Sequence, residues 1–322
     1  MTQDELGLIN LIRSAGVSLS VDKERLAAIS KRNGETLAAK IDQYNKEKSM
    51  TTGAKDFHLG YSRISCFSSC PRQYKYNYVD GIRTPGGVPM RRGTAYHAAL
   101  EYMLNYKKDI GELVSIERAE RAAIRAAKAE SLTDSEIYRV IDAVRFYYAE
   151  MYAEHQPLAV EENCEVVRAG VKLTGRIDLV DKRGDVIDFK FSADKWAAPR
   201  AKYGCQPIVY QWFAEDYLSK KYPDWTYNGF TYEIIKLWPM PLIQRIHIDP
   251  IPKEQSDWWE DQLAQIAATI QAGLFPAKSN EKECGWCSYK ELCQPAIWKI
   301  KAQDIGTTEF TDDLEKFDDG AI

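Results

Sequence analysis

Asp178, Asp188 and Lys190 fall within one stretch, GRIDLVDKRGDVIDFK (175–190), which reads as a strand, a tight turn and a second strand. Side chains alternate with a period of two along a strand. Asp188 and Lys190 therefore share one face, while Phe189 and Phe191 take the other. With Lys182, Arg183 and Gly184 as a three-residue loop and Gly184 in the left-handed position, Asp181 pairs with Asp185 and Asp178 falls opposite Asp188. The two carboxylates then stand ~5 Å apart at Cβ, and like charges across a ladder are destabilising. Burial adds a desolvation cost, so the pair calls for a cation. A divalent metal meets that need. Two carboxylates, a metal and a lysine are the parts of a phosphodiester-cleaving centre.

The elements that must hold this hairpin can be read on either side of it. Residues 1–50 form an N-terminal helical region, with Thr2 and Glu5 at capping-box spacing. A polar linker follows over 48–60, and a helix begins after Gly93 in RRGTAYHAALEYM. Further helices are expected over 117–130 and 134–154, the second opened by Thr133 and Glu136. The period then changes to that of strands at 160–167, 171–180 and 185–192. A helix over 207–221, strands at 227–238 and 242–248, and a helix over 254–272 complete the order. This is an α/β pattern, a mixed β-sheet flanked by helices.

The hairpin resembles the signature of the PD-(D/E)xK nuclease superfamily, in its RecB-like branch: GRIDLV, a short turn, then I-D-x-K. The likeness spans about residues 60–296 and implies a restriction-endonuclease-like core. It implies that His97, following Gly93 on a helix, is a metal ligand with Asp178, Asp188 and the carbonyl of Phe189. A glutamate upstream of G-x-x-D also contributes in this family, and either Glu161 or Glu162 matches. Gln206 and Tyr210 match its Q-x3-Y motif, one helical turn apart on one face. Pro207 belongs in a first helical turn, which puts Gln206 at the helix cap. By resemblance, Asp178, Asp188, Lys190, Tyr210 and Gln206 form the catalytic set, with Mg2+ or Mn2+ as the ion.

Seven cysteines in a chain with a cytoplasmic composition point to ligands or buried thiols and not to a disulfide framework. Cys284, Cys287 and Cys293 form C-x2-C-x5-C, while Cys66, Cys70, Cys164 and Cys205 are scattered. Four thiolates suit tetrahedral zinc or an iron-sulfur cluster, and spacing does not separate the two. RecB-like nucleases of the AddB and CRISPR-adaptation types hold a 4Fe-4S cluster with one cysteine before the nuclease core and three after it. The resemblance therefore implies Cys70, Cys284, Cys287 and Cys293 as its ligands, with Cys66 the rival for the first place. It also implies a nuclease domain over 60–300, closed by those four cysteines into a C-terminal iron-sulfur segment.

The net charge of −4 looks wrong for a DNA-binding protein, but the tail accounts for it. Residues 303–322 hold seven acids against one base and read as a disordered segment able to bind a protein partner. The rest of the chain stands near +2, so a basic DNA path must be local. One candidate is the run of Arg72, Tyr74, Lys75, Tyr76 and Tyr78, with Arg91 and Arg92 beyond it, in which rings could stack on bases while cations follow phosphates, a packing role for most of the tyrosines being an equal alternative. No apolar run reaches membrane-spanning length, and the opening MTQDELGLINLIRSAG lacks the layout of a signal peptide. The expectation is a cytoplasmic, metal-dependent DNA exonuclease working on single strands or DNA ends, with no membrane partner. The alternative is a catalytically idle iron-sulfur or zinc DNA-binding subunit of a recombination or CRISPR-adaptation complex.

Overall fold

The computed structural model describes residues 57–82, 84, 86–197, 201, 204–237, 240–278 and 284–293. The helices expected before residue 48 and the acidic tail lie outside them. Six strands make one mixed sheet: β1 (His58–Leu59), β2 (Pro157–Arg168), β3 (Val171–Asp181), β4 (Asp185–Phe191), β5 (Gly229–Lys236) and β6 (Leu242–Ile248). β2 lies antiparallel to β3 from Arg168↔Val171 to Pro157↔Asp181 and so takes one edge of β3 along its length. The other edge is shared. β1 pairs there in parallel at Lys172 and Leu173, and β4 pairs antiparallel at Leu179 and Val180. Between these two contacts, residues 174–178 have no strand partner on that edge among the described residues. β4 continues in parallel with β5, and β5 antiparallel with β6.

Both hairpins are set by their turns. Ala169 and Gly170 have φ of +49° and +70°, the pair of positive values that a two-residue type I′ turn requires. Gly184 has φ +103°, and its N–H donates to the carbonyl of Asp181 at 3.0 Å. A side chain there would also meet Thr226 O at 2.4 Å. Leu179↔Ile187 and Val180↔Val186 carry the register expected from the sequence, which continues to Asp178 opposite Asp188.

Helices cover both faces of the sheet. On one face lie α3 (Val88–Ile110), α4 (Ile116–Ala129) and α5 (Asp134–Glu150), packing Tyr96, Leu100, Met103 and Tyr147 onto Phe189 and Leu179. On the other lie α1 (Tyr61–Ser69), the short α2 (Pro71–Tyr74), α6 (Gln206–Phe213, running on through Ala214–Leu218 and Ser219–Lys221) and α7 (Lys253–Gln271). These bury Trp212, Phe213, Ile64 and Leu263 against Phe230, Val180 and Ile177. The last element is the one-turn α8 (Lys290–Cys293).

Two helix bounds differ by more than one residue from the sequence reading. α3 begins at Val88, five residues before Gly93, with Pro89 in its first turn; proline there gives up an N–H that has no partner anyway. α5 stops at Glu150 and the chain turns over 151–154. Among the described residues no helix is long and apolar enough to cross a membrane.

Candidate active site

The site forms where β3 and β4 part. Beyond Leu179 no main-chain pair joins these strands, and the Asp178 carboxylate takes over the ladder: its Oδ2 accepts the N–H of Phe189 at 2.9 Å. The same oxygen lies 3.3 Å from His97 Nδ1 on α3. Glu161 of β2 completes a group in which one ligand atom from each of His97, Glu161 and Asp178 lies within 4.8 Å of the others. The N–H and C=O of one strand residue leave by the same edge, so the carbonyl of Phe189 also faces the gap. Gly93 stands one turn before His97, and a Cβ placed on it would meet nothing within 4 Å. Packing does not demand that glycine, and its absent side chain leaves the helix face above His97 open.

Burial pushes the Asp178 carboxyl up to about 6, with Asp188 adding to the rise and His97 opposing it. Glu161 is pushed up to about 7, again by burial first and then by Asp178, against the pull of Arg176. Arg176 Nε lies 2.6 Å from Glu161 Oε2. Two carboxyls that resist ionisation beside an imidazole make a site that a cation would relieve. Glu161 also has φ +51°, a strained value for a non-glycine residue in a strand. The sequence left Glu161 and Glu162 open, and the structure separates them. Glu162 points to the opposite face, where it accepts from Tyr217 Oη at 2.8 Å and pairs with Lys221.

Asp188 stands beside this group but is engaged differently. Its Oδ2 lies 2.5 Å from Lys190 Nζ, and its Oδ1 accepts from Gln206 Nε2 at 2.5 Å. The structure thus brings His97, Asp178 and Glu161 together, while Asp188 holds the lysine. Burial works to lower the pKa of Lys190, but Asp188 and Asp178 more than offset it, and the ammonium is held above its ordinary value. One turn past Gln206 on α6, Tyr210 Oη donates to the carbonyl of Arg176 at 3.0 Å, closing one of the main-chain groups left open in the β3 gap. Burial, then the two aspartates, raise the Tyr210 phenol well above its usual range, so it acts as a donor. Pro207 falls in the first turn of α6 as the sequence implied, but the helix cap is Cys205, and Gln206 is the first helical residue and not the cap.

Gly175 of G-x-x-D has a steric reason: a Cβ there would come within 2.6 Å of the buried Phe213 ring on α6. Tyr61, at the start of α1, was not legible as a site residue. It lies within electrostatic reach of Lys190 and Asp188, and burial raises its phenol. The preceding Gly60 was the available signal, since a Cβ there would sit 2.3 Å from Thr174 O. Asp181 is held away from the site. Although it is buried, hydrogen bonds from His155, from Arg183 and from the Gln156 N–H pull its carboxyl well below the carboxylate range.

The aromatic and basic run is a packing feature. Tyr74 is 2% exposed and stacks on Phe275 at 6.1 Å. Arg72 donates to Phe275 O, Lys75 pairs with Asp80, Arg92 with Glu136, and Arg91 donates to Glu130 O and Ser131 O. These side chains tie loops and helix ends together. The cysteines behave otherwise. Cys70, Cys284, Cys287 and Cys293 line one open pocket, and Cys66, outside that lining, lies within electrostatic reach of Cys70 and Cys287. Burial raises the Cys287 thiol, and Cys70, Cys284 and Cys293 add to the rise.

Among curated proteins none matches this chain. A crystal structure from Eubacterium rectale, of a protein provisionally named an exonuclease, is 13% identical over 81% of this chain and 97% of that one, with a TM-score of 0.53. At that identity it speaks for the fold alone. The crystal structure of SSO0001 is 14% identical over 82% of this chain and 98% of that one, at a TM-score of 0.38, too low to bear on the fold. The profile of the PD-(D/E)XK nuclease superfamily matches residues 58–294, which take in the whole sheet, His97, the parted strands and the cysteine cavity. This chain belongs to the PD-(D/E)XK nuclease superfamily.

Proposed function

We propose that the chain is a metal-dependent DNA nuclease that works as an exonuclease on single strands or DNA ends. The observation that carries the reading is the convergence of His97, Glu161 and Asp178 within 4.8 Å, beside the buried Asp188–Lys190 pair. The donor set fits a divalent cation: one imidazole and two carboxyls that burial holds above the ordinary carboxylate range. Imidazole among oxygen donors suits manganese as well as magnesium. A cation held there supplies Lewis-acid polarisation of the scissile phosphate and a bound water of lowered pKa.

The chain's own residues do the rest. Asp188 keeps Lys190 protonated and aimed, so that its ammonium can meet charge developing on the phosphate. Gln206 fixes the Asp188 carboxylate, and Tyr210 fixes the β3 main chain at Arg176. The open face above His97, left by Gly93, gives a DNA end room to approach.

The four thiols suit an iron-sulfur cluster better than zinc. What supports the cluster is the order of the thiols, one before the nuclease core and three after it. Such a cluster would tie Cys70, before the sheet in the chain, to the segment at 284–293 after it.

An anaerobic preparation assayed on single-stranded, blunt-ended and circular DNA, with Mn2+ or Mg2+, tests the reading. Nucleotide release is expected from the first two and not from the circle. Lys190→Ala should abolish cleavage and leave DNA binding measurable. Near-normal cleavage by that variant would overturn the proposal.

A further inference from the structure

The sequence required a local basic path, and the run at 72–78 does not supply it, because its cations are spent on carbonyls and carboxylates. The cations of α4 are not. Arg118, Arg121, Arg125 and Lys128 are all exposed and fall at i, i+3, i+7 and i+10, one straight stripe down a single helix face. The opposite face is alanine: Ala119, Ala122, Ala123 and Ala127 are buried against the neighbouring helices. At 1.5 Å per residue the stripe is about 15 Å long.

An ordinary solvated face mixes its charges, and α5 shows the pattern: Arg139 pairs with Glu136, and Arg145 pairs with Glu120 and Asp142. On α4, by contrast, Arg121, Arg125 and Lys128 make no ion pair within 4.0 Å among the described residues. Glu117, in the first turn, is within electrostatic reach of Arg121, and Glu120 is committed to Arg145. From Arg121 to the end of the helix there is no acid. Arg118 lies over the Tyr106 ring at 5.0 Å, which holds that guanidinium in place.

The stripe also has a direction. Arg91, on the first turn of α3, donates to Glu130 O and Ser131 O at the C-terminal end of α4. The Lys128 end is therefore joined to the end of α3 that carries His97, which is six residues, about 9 Å, further along the same helix.

We infer that the Arg118–Arg121–Arg125–Lys128 face of α4 is a phosphate-binding track that holds the DNA strand beyond the cleavage site. The inference rests on the nuclease reading for the identity of the polyanion. It predicts that the contacts are electrostatic and independent of sequence, and that they concern DNA several nucleotides long.

The test measures binding apart from cleavage. In the Lys190→Ala protein, with EDTA present, the affinity for a single-stranded 20-mer is measured against KCl concentration, with and without R121Q/R125Q/K128Q. Each phosphate contact contributes about 0.7 to the slope of log K against log salt on single strands. Three lost contacts should cut the slope by about 2 and weaken binding about 100-fold at 0.1 M salt. With Lys190 intact and metal present, the same triple variant should cleave a trinucleotide at the wild-type rate while losing activity on the 20-mer. R121K/R125K/K128R should keep the wild-type slope, which distinguishes charge from folding. An unchanged slope in the glutamine variant would overturn the track. Absence of metal-dependent cleavage in the wild type would instead refute the nuclease reading and leave the slope measurement standing.

Discussion

Glu161 combines a ligand position with a positive φ, and that combination yields a separable prediction. Replace it with alanine in one protein and glycine in another. Both lose the carboxylate, and the two differ by a single methyl group. At an ordinary strand position alanine is the more stable of the pair, by roughly 0.4–1 kcal/mol, because glycine has more freedom to lose on folding. At φ +51° an L side chain costs roughly 1–2 kcal/mol through the clash of Cβ with the carbonyl. The balance moves to glycine, by about 1 kcal/mol. For a fold of this size that is about 2–4 °C in Tm. Calorimetry in EDTA at pH 7, supported by urea melts, reads the difference directly. Both variants should lose metal-dependent cleavage by at least ~100-fold, so stability and activity part company. If Glu161→Ala melts at or above Glu161→Gly, the strain assigned to this residue is refuted.

Other outcomes follow from the same geometry. Gly175→Ala should drive a methyl into the Phe213 ring, 2.6 Å away, at a cost of about 1–3 kcal/mol; Phe213→Leu in the same protein should recover much of the lost Tm. Gln206→Ala should lower kcat about 10-fold with little change in DNA affinity, because it frees Asp188 without removing Lys190; an unchanged kcat would show that the amide is only packing. Asp178 and Glu161 have folded-state values of about 6 and about 7, above their ordinary ones. Their folded forms hold extra protons between about pH 4 and 7, so metal-free stability should fall as pH rises through that window. Mn2+ should reverse the trend, its stabilising effect growing from pH 5 to 8; a thermal shift that is flat with pH would exclude these carboxyls as ligands.

The parts of the site that were legible in the sequence were those governed by local rules. A period of two and a glycine turn gave the Asp178–Asp188 register, whereas Gln206 and Tyr210 came from the resemblance to Q-x3-Y, with helical spacing setting them on one face. Glu161 was left undecided although a signal was present: if Ala169 and Gly170 form a two-residue turn, Arg168 pairs with Val171, and counting back places position 161 opposite Asp178. The unfavourable alanine at a positive φ hid that turn, since asparagine or glycine is the usual mark. The aromatic and basic run stayed open between packing and DNA contact for another reason. Composition does not say whether an arginine faces a phosphate or a backbone carbonyl, and at residues 72–92 loop closure claimed the cations. The α4 stripe went unread because charges at i, i+3 and i+7 in an alanine-rich helix look like plain solubility until their lack of partners is seen.

The five residues of β3 left unpaired between β1 and β4 bear on association as well as chemistry. An open strand edge invites another chain to add to the sheet. Here the opening lies inside the sheet, bounded at both ends by strands, so it offers no free edge for another strand to run along. Side chains of Asp178 and Tyr210 occupy two of its hydrogen-bonding positions. The fold can thus keep main-chain polar groups facing its reactive centre for the life of the protein without becoming a template for aggregation.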